Sequence, residues 1–184
     1  MYVIKYLYNF LVFCILLSNT NRFYGNLNNL SQTPLQIMSF VFAFLNGSFR
    51  FIWGFLFDKF NFKILISINF CIQIIVSISI SFIALNVYVY ILENWLIAIC
   101  LSGCFTLLPP IFNKTFGMKN GASIFGFSGV LCGLSSFLGP VISKLFLKEK
   151  IHYMILYISS SSLSIICLAT VFFFKEEAFR IQEK

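Results

Sequence analysis

The feature that most constrains this chain is a succession of six apolar segments, each close to the length needed to cross a membrane. About 20 helical residues cross ~30 Å of hydrocarbon. With 59% hydrophobic residues, 10% charged residues and a mean hydropathy of +0.91, a water-soluble fold would expose an untenable apolar surface. The pattern predicts an all-α membrane protein, a six-transmembrane-helix bundle forming one domain over residues 1–184. The segments run over about residues 2–17, 36–57, 64–85, 95–112, 121–146 and 151–174.

The first segment is the weakest, because Lys5 and Asn9 lie inside it. A cleavable signal peptide is the alternative, with Lys5 as its basic region and residues 10–17 as its apolar core. Residues 18–20 make a poor cleavage site. A retained helix is therefore the preferred interpretation.

The distribution of basic residues predicts that both termini lie in the cytosol. With that orientation, nine of the 13 Lys and Arg residues fall on the cytosolic side and four on the other side. This bias agrees with the positive-inside rule. The net charge of +7 comes from basic residues placed singly at the ends of apolar segments, so a lipid bilayer is the expected partner and a nucleic acid is not. The pattern does not indicate which membrane holds the chain.

The sequence shows no arrangement of residues that is typical of a catalytic or cofactor-binding site. The six cysteines lie within apolar segments, without a CxxC pair or a Cys/His cluster, so we expect no metal site and no cofactor. There is no Ser/His/Asp set, no paired carboxylates at membrane depth and no phosphate-binding loop, so we do not expect an enzyme. No filter sequence of an ion channel is visible.

The clearest motif lies in residues 46–63. Arg50, Gly54 and Asp58 follow one another at four-residue spacing, so they lie along one narrow stripe of a helix. An arginine at membrane depth is costly, so Arg50 should face protein or water. Gly54 leaves room for a neighbouring helix. Asp58 and Lys59 then end the segment at a membrane surface, and Lys63 begins the next one.

Polar residues recur at four-residue spacing in the third segment, which carries Asn69, Gln73 and two serines on one face. Such a stripe favours hydrogen bonds between helices. The wall of a polar cavity is the alternative. The candidates for lining a solute path are Asn9, Asn46, Asn69 and Gln73.

Small residues recur at spacings of three and four in the fifth segment, where Gly129 and Gly133 form a GxxxG pair. This pattern predicts either close helix packing or a sliding contact during a conformational change. The candidates for packing or hinge positions are Gly121, Gly126, Gly129, Gly133, Gly139 and Pro140.

The motif in residues 46–63 resembles the loop signature of the major facilitator superfamily, roughly G-x-x-x-D-[RK]-x-G-[RK]-[RK]. Gly54, Asp58, Lys59 and Lys63 match it, whereas residues 61–62 depart from it. The residues of this motif are most similar to the second-half copy of the signature in the oxalate/formate antiporter and monocarboxylate porter branches.

A second stretch is similar to the same branches. Residues 116–121 form an aromatic-Gly-x-Lys-Asn loop, and a Gly-rich segment that ends in Gly139-Pro140 follows. The resemblance implies that the six segments correspond to helices 7–12 of a twelve-helix transporter. Such a protein would move a small organic anion by alternating access, with proton coupling left open.

The resemblance also implies a gating role for the signature residues. Asp58 would lie near the start of the fifth segment, around residues 120–123, because a helix N-terminus favours a carboxylate. Arg50 and Lys59 would help to hold the cytosolic side closed. The full gating set is Arg50, Gly54, Asp58, Lys59 and Lys63.

The chain provides the spans of one half, whereas facilitators rock two six-helix halves about a midplane site. The expected partners are therefore a small-molecule solute and a second six-helix half. The chain is interpreted, in order of preference, as a truncated or misassembled product, the tail of a longer chain, or a half that forms a homodimer. The rival functions are a non-transporting membrane subunit or remnant, and a facilitator for an unrelated solute.

Overall fold

The computed structural model describes residues 2–83, 86–145 and 149–173, and in these ranges it confirms the predicted all-α bundle of six helices. Five of the helices, α2 to α6, are long and apolar enough to cross a membrane. The helices are α1 (Tyr2–Leu27), α2 (Gln32–Lys59), α3 (Phe62–Ile83), α4 (Val87–Lys114), α5 (Phe116–Leu145) and α6 (Lys150–Phe173).

The first helix is ten residues longer than the apolar segment that predicts it, because its polar residues bond back to their own helix. Ser18 Oγ and Asn19 Nδ2 donate to the carbonyl oxygen of Ile15 over 2.9 and 2.8 Å. Thr20 Oγ1 donates to the carbonyl of Leu17 over 2.8 Å. With these hydroxyl and amide groups satisfied locally, the helix continues through a stretch that looks like a loop.

The predicted loop between the fourth and fifth segments is reduced to a break in one helical stretch, Val87–Leu145. Gly117 has φ 79° and ψ 155° there, a conformation that glycine adopts without steric cost. Pro109 and Pro110 lie inside α4 and do not end it, although two adjacent prolines predict a break in the hydrogen-bond ladder of a helix. Membrane helices tolerate proline where neighbouring groups satisfy the freed backbone.

Burial is uneven and makes α4 the central helix. In the most apolar window of each span, 61% of α4 is buried, against 6% for α2 and 22% for α5. One core cluster surrounds Trp53, Phe70 and Leu107, and another surrounds Tyr24 and Tyr90. The bundle therefore has a packed interior around α4 and two helices with open faces.

Candidate functional site

The signature stripe of α2 runs along α4. Arg50 is exposed, and its Cζ lies 4.9 Å from the centroid of the Phe105 ring on α4. This cation–π contact is worth about 0.5–1 kcal/mol at an exposed position. A Cβ placed on Gly54 would lie 3.9 Å from Thr106 Cγ2, an ordinary contact distance. Arg50 and Gly54 thus both face the central helix.

The charged end of the signature lies in the short connection between α2 and α3. The Lys59 ammonium lies 4.2 Å from the Phe55 ring centroid, and the Phe60 N–H donates to the Leu56 carbonyl over 2.9 Å, which closes the helix. Asp58 is exposed, and no described residue forms an ion pair or hydrogen bond with its carboxylate. The expected placement of Asp58 beside residues 120–123 stays a prediction.

Three glycines of the α5 stripe face open space. A Cβ placed on Gly126, Gly129 or Gly133 would meet no atom within 4 Å. Gly47 on α2 has the same open surroundings. These positions therefore do not pack helices together within the described bundle.

The two ends of the α5 stripe make close contacts instead. A Cβ on Gly121 would lie 2.6 Å from Asn113 Cα, where α5 folds back against α4. A Cβ on Gly139 would lie 3.2 Å from the Leu16 carbonyl oxygen of α1. Pro140, the next residue, is half-buried. Glycine at these two ends lets α5 approach its neighbours.

The path-lining candidates have different surroundings. Asn69 is fully buried, and its Nδ2 donates to the Cys100 carbonyl over 2.9 Å, which joins α3 to α4. Gln73 is also buried, with Nε2 3.4 Å from Ser77 Oγ. Asn46 is half-buried on α2, and its buried Oδ1 has no partner among the described residues. The side chain of Asn9 lies outside the described part of the chain.

A buried hydrogen-bond network that the sequence did not indicate joins α1, α4 and α6 at the end opposite the α2–α3 connection. Tyr157 Oη donates to Asn21 Oδ1 over 2.5 Å, and the Tyr90 hydroxyl donates to the Asn21 backbone carbonyl. Asn94 Nδ2 donates to the Tyr90 carbonyl over 2.8 Å. Asn21 Nδ2 and Asn94 Oδ1 are buried, and the residues that the structure describes give them no partner.

Four tyrosine rings pack around this network. The Tyr24 ring centroid lies 6.1 Å from that of Tyr90, 5.3 Å from that of Tyr153 and 5.5 Å from that of Tyr157. Tyrosines near segment ends are typical of the membrane–water interface. These four are instead buried, and they hold α1, α4 and α6 together as one unit.

Glu93 and Asn94 lie between the predicted third and fourth segments, residues 64–85 and 95–112, so the sequence predicts them in a loop. Glu93 lies inside α4 with 5% of its surface exposed, and its Oε2 has no partner within the described ranges. Ser79 of α3 lies close to the carboxyl group. An ionisable residue in a membrane-spanning helix is costly, which makes Glu93 a candidate functional residue.

Comparison with known proteins assigns a family to this arrangement. A family model described as Major Facilitator Superfamily matches residues 2–184, nearly the whole chain. The chain belongs to the major facilitator superfamily. A search of curated proteins gives no match to it.

Major facilitators are membrane solute transporters and in general not enzymes. The chain is accordingly an integral, multi-pass membrane protein concerned with solute transport. Its six helices are consistent with one half of a facilitator fold. The match extends to α1 as well, and Cys14, Ile15 and Leu17 of that helix are part of the buried core.

Proposed function

We propose that this chain forms the C-terminal-type half of a facilitator that moves a small organic anion by alternating access. The substrate class is that of the oxalate/formate antiporters and monocarboxylate porters, whose signatures residues 46–63 and 116–140 resemble. The family match supports solute transport in general. The observation that carries the alternating-access proposal is the pair of open helix faces on α2 and α5.

These faces have the chemistry of an interface between helices. Gly47 on α2 and Gly126, Gly129 and Gly133 on α5 all have open space where a side chain would stand. Small residues let helix backbones approach closely, whereas contact with lipid does not require them. A second six-helix half would cover both faces. It would come either from a longer chain or from another copy of this one, and the solute would bind between the halves.

The α2–α3 connection would serve as the cytosolic gate. The Arg50 guanidinium is close to α4, and the Asp58 carboxylate is exposed at the end of α2. A carboxylate is favourable at a helix N-terminus, and α5 begins at the break around Gly117. In the closed state, Asp58 would bind at the start of α5, and opening of the gate would break that contact. With the α2–α3 connection on the cytosolic side, both termini would also lie in the cytosol.

The buried carboxyl group of Glu93 on α4 supports coupling of transport to a proton gradient. A protonated carboxyl group can be carried through the closed state at much lower cost than a carboxylate, because burial disfavours the charged form. The Glu93 side chain is enclosed within the half, close to Ser79 of α3. We therefore include a proton gradient in the transport test.

Uptake into liposomes tests the proposed function. The purified chain, alone and joined to a second six-helix half, is reconstituted and given labelled oxalate, formate or lactate. We expect saturable uptake of at least one of these anions and faster uptake when the outside is acidic. Failure of both preparations to take up any of them would support the rival function of a non-transporting subunit or remnant.

The gate is tested by Asp58→Asn in the preparation that transports. The amide lacks the negative charge that a helix N-terminus stabilises. That stabilisation contributes about 0.3–1 kcal/mol, and up to ~2 kcal/mol in a partly buried site. We expect a shift of about twofold to thirtyfold toward the state open to the cytosol, measured by thiol accessibility of reporter cysteines on each side. Lys150→Gln, at the opposite surface, is the control. An unchanged balance in Asp58→Asn would contradict the gate.

A further inference from the structure

A groove on the surface of the bundle lies between α3 and α6, apart from the open α2 and α5 faces, and of the signature residues only Lys63 borders it. Its volume is about 530 Å³. Ile64, Ile68 and Ile75 line one wall, and Val171 and Phe172 line the other. The two walls are thus almost wholly apolar, as expected for a surface in contact with hydrocarbon.

The length of the groove matches one leaflet of a bilayer. Its residues on α3 extend from Lys63 to Ile75, twelve residues at ~1.5 Å each, or about 18 Å. Half of a ~30 Å hydrocarbon core is about 15 Å. Because α3 begins at Phe62, the groove runs from the membrane surface to about the midplane.

One end of the groove is basic and the rest is apolar. The Lys63 ammonium group belongs to the first turn of α3, and Ser67 lies one turn deeper on the same wall. A basic group at the headgroup level attracts anionic lipids. The serine hydroxyl can donate a hydrogen bond to an ester or phosphate oxygen. This combination suits a ligand with an anionic head and a long hydrocarbon chain.

We propose that the groove binds an anionic phospholipid of the leaflet that borders the α2–α3 connection. One acyl chain would lie along Ile64, Ile68 and Ile75, against Phe172, and the phosphate would lie beside Lys63. Charge complementarity at Lys63 and the length of one leaflet identify the occupant as a lipid of that leaflet. The inference depends on the membrane-spanning fold alone, so it stands apart from the proposed transport of anions.

Lipid titration of the purified full chain, followed by native mass spectrometry, tests the proposal. The probes are phosphatidylglycerol and phosphatidylcholine with identical acyl chains. One lysine near the headgroups contributes about 1 kcal/mol, so phosphatidylglycerol is expected to bind about fivefold more tightly. Lys63→Gln should remove this preference. Lys150→Gln lowers the net charge equally at the opposite surface and should retain it. Equal binding of the two lipids, or a preference that survives Lys63→Gln, would overturn the proposal.

A second pair of measurements locates the acyl chain. Ile68→Trp fills the middle of the groove and should weaken the binding of both lipids, whereas Ile155→Trp, at an exposed position of α6 outside the groove, should not. A phosphatidylglycerol with a photoreactive diazirine in its acyl chain should label residues 64–75 and 171–172 of the unmodified protein. Labelling confined to α2 or α5 would refute the assignment.

Discussion

Gly103→Leu is expected to remove most of the folded protein from the membrane, the largest loss of stability of any substitution proposed for this chain. Gly103 lies in the middle of α4, where α2 and α3 both pack against it. A Cβ added there would overlap Asn69 Nδ2 and would lie 2.8 Å from Trp53 Cε2. Cβ atoms in folded proteins do not come this close to other atoms, so the two neighbouring side chains must move.

Their displacement breaks the hydrogen bonds that join three helices. Trp53 Nε1 donates to the Ile99 carbonyl over 3.0 Å, which links α2 to α4. Asn69 Nδ2 donates to the Cys100 carbonyl over 2.9 Å, which links α3 to α4. Overpacking costs about 1–3 kcal/mol, and each lost interhelical bond about 0.6–2 kcal/mol. The sum is comparable to a large part of a typical total stability of about 5–15 kcal/mol.

Fluorescence-detected size-exclusion chromatography with a thermal ramp measures the effect. The Gly103→Leu protein should lose its monodisperse peak, and Gly103→Ala should lower the melting temperature by several degrees. Gly133→Leu is the matched control, because a Cβ at that position meets no atom within 4 Å. A Gly103→Leu protein that elutes and melts like the unmodified chain would show that the two side chains can move aside at little cost.

The number and order of the helices followed from hydropathy, whereas the end of α1 and the start of α4 did not. Apolar runs of about 20 residues have few alternatives to a membrane helix, so α2, α3 and α6 begin and end within a few residues of their predicted bounds. Hydropathy does not predict the ends of helices that continue through polar residues. Glu93 lies in α4 with its side chain buried close to Ser79 of α3, and hydropathy does not show which way a side chain points.

The candidate site was predictable only where its pattern is local. The signature on α2 has a fixed spacing, so Arg50 and Gly54 were expected on one stripe, and both face α4. Gly103 is isolated in its segment and gave no periodic signal, although it makes the closest approach to neighbouring side chains. Asn21 acquires its tyrosine partners from α4 and α6, which are remote in sequence. Spacing identifies small or polar positions but does not identify what they contact.

Gly129→Trp is expected to abolish transport without unfolding the half, the largest functional effect of a substitution outside the gate. Gly129 lies in the middle of the open α5 face, and a Cβ there meets no atom within 4 Å. The first atom of an indole side chain at this position therefore contacts no other residue of the described bundle. If a second half packs on this face, as proposed, the indole would hold the two backbones apart at the contact that must slide during alternating access.

The comparison with a lipid-facing position decides between an interface and a surface that only lipid touches. Ile155 on α6 is 59% exposed, so Ile155→Trp adds a similar indole facing lipid. Uptake into liposomes should fall at least tenfold for Gly129→Trp, and Ile155→Trp should transport normally, with melting temperatures of both close to that of the unmodified chain. Gly129→Ala should lie between, because a methyl group separates the backbones less than an indole does. Normal uptake by Gly129→Trp would mean that the α5 face contacts lipid throughout the transport cycle, and the second half would then have to pack elsewhere.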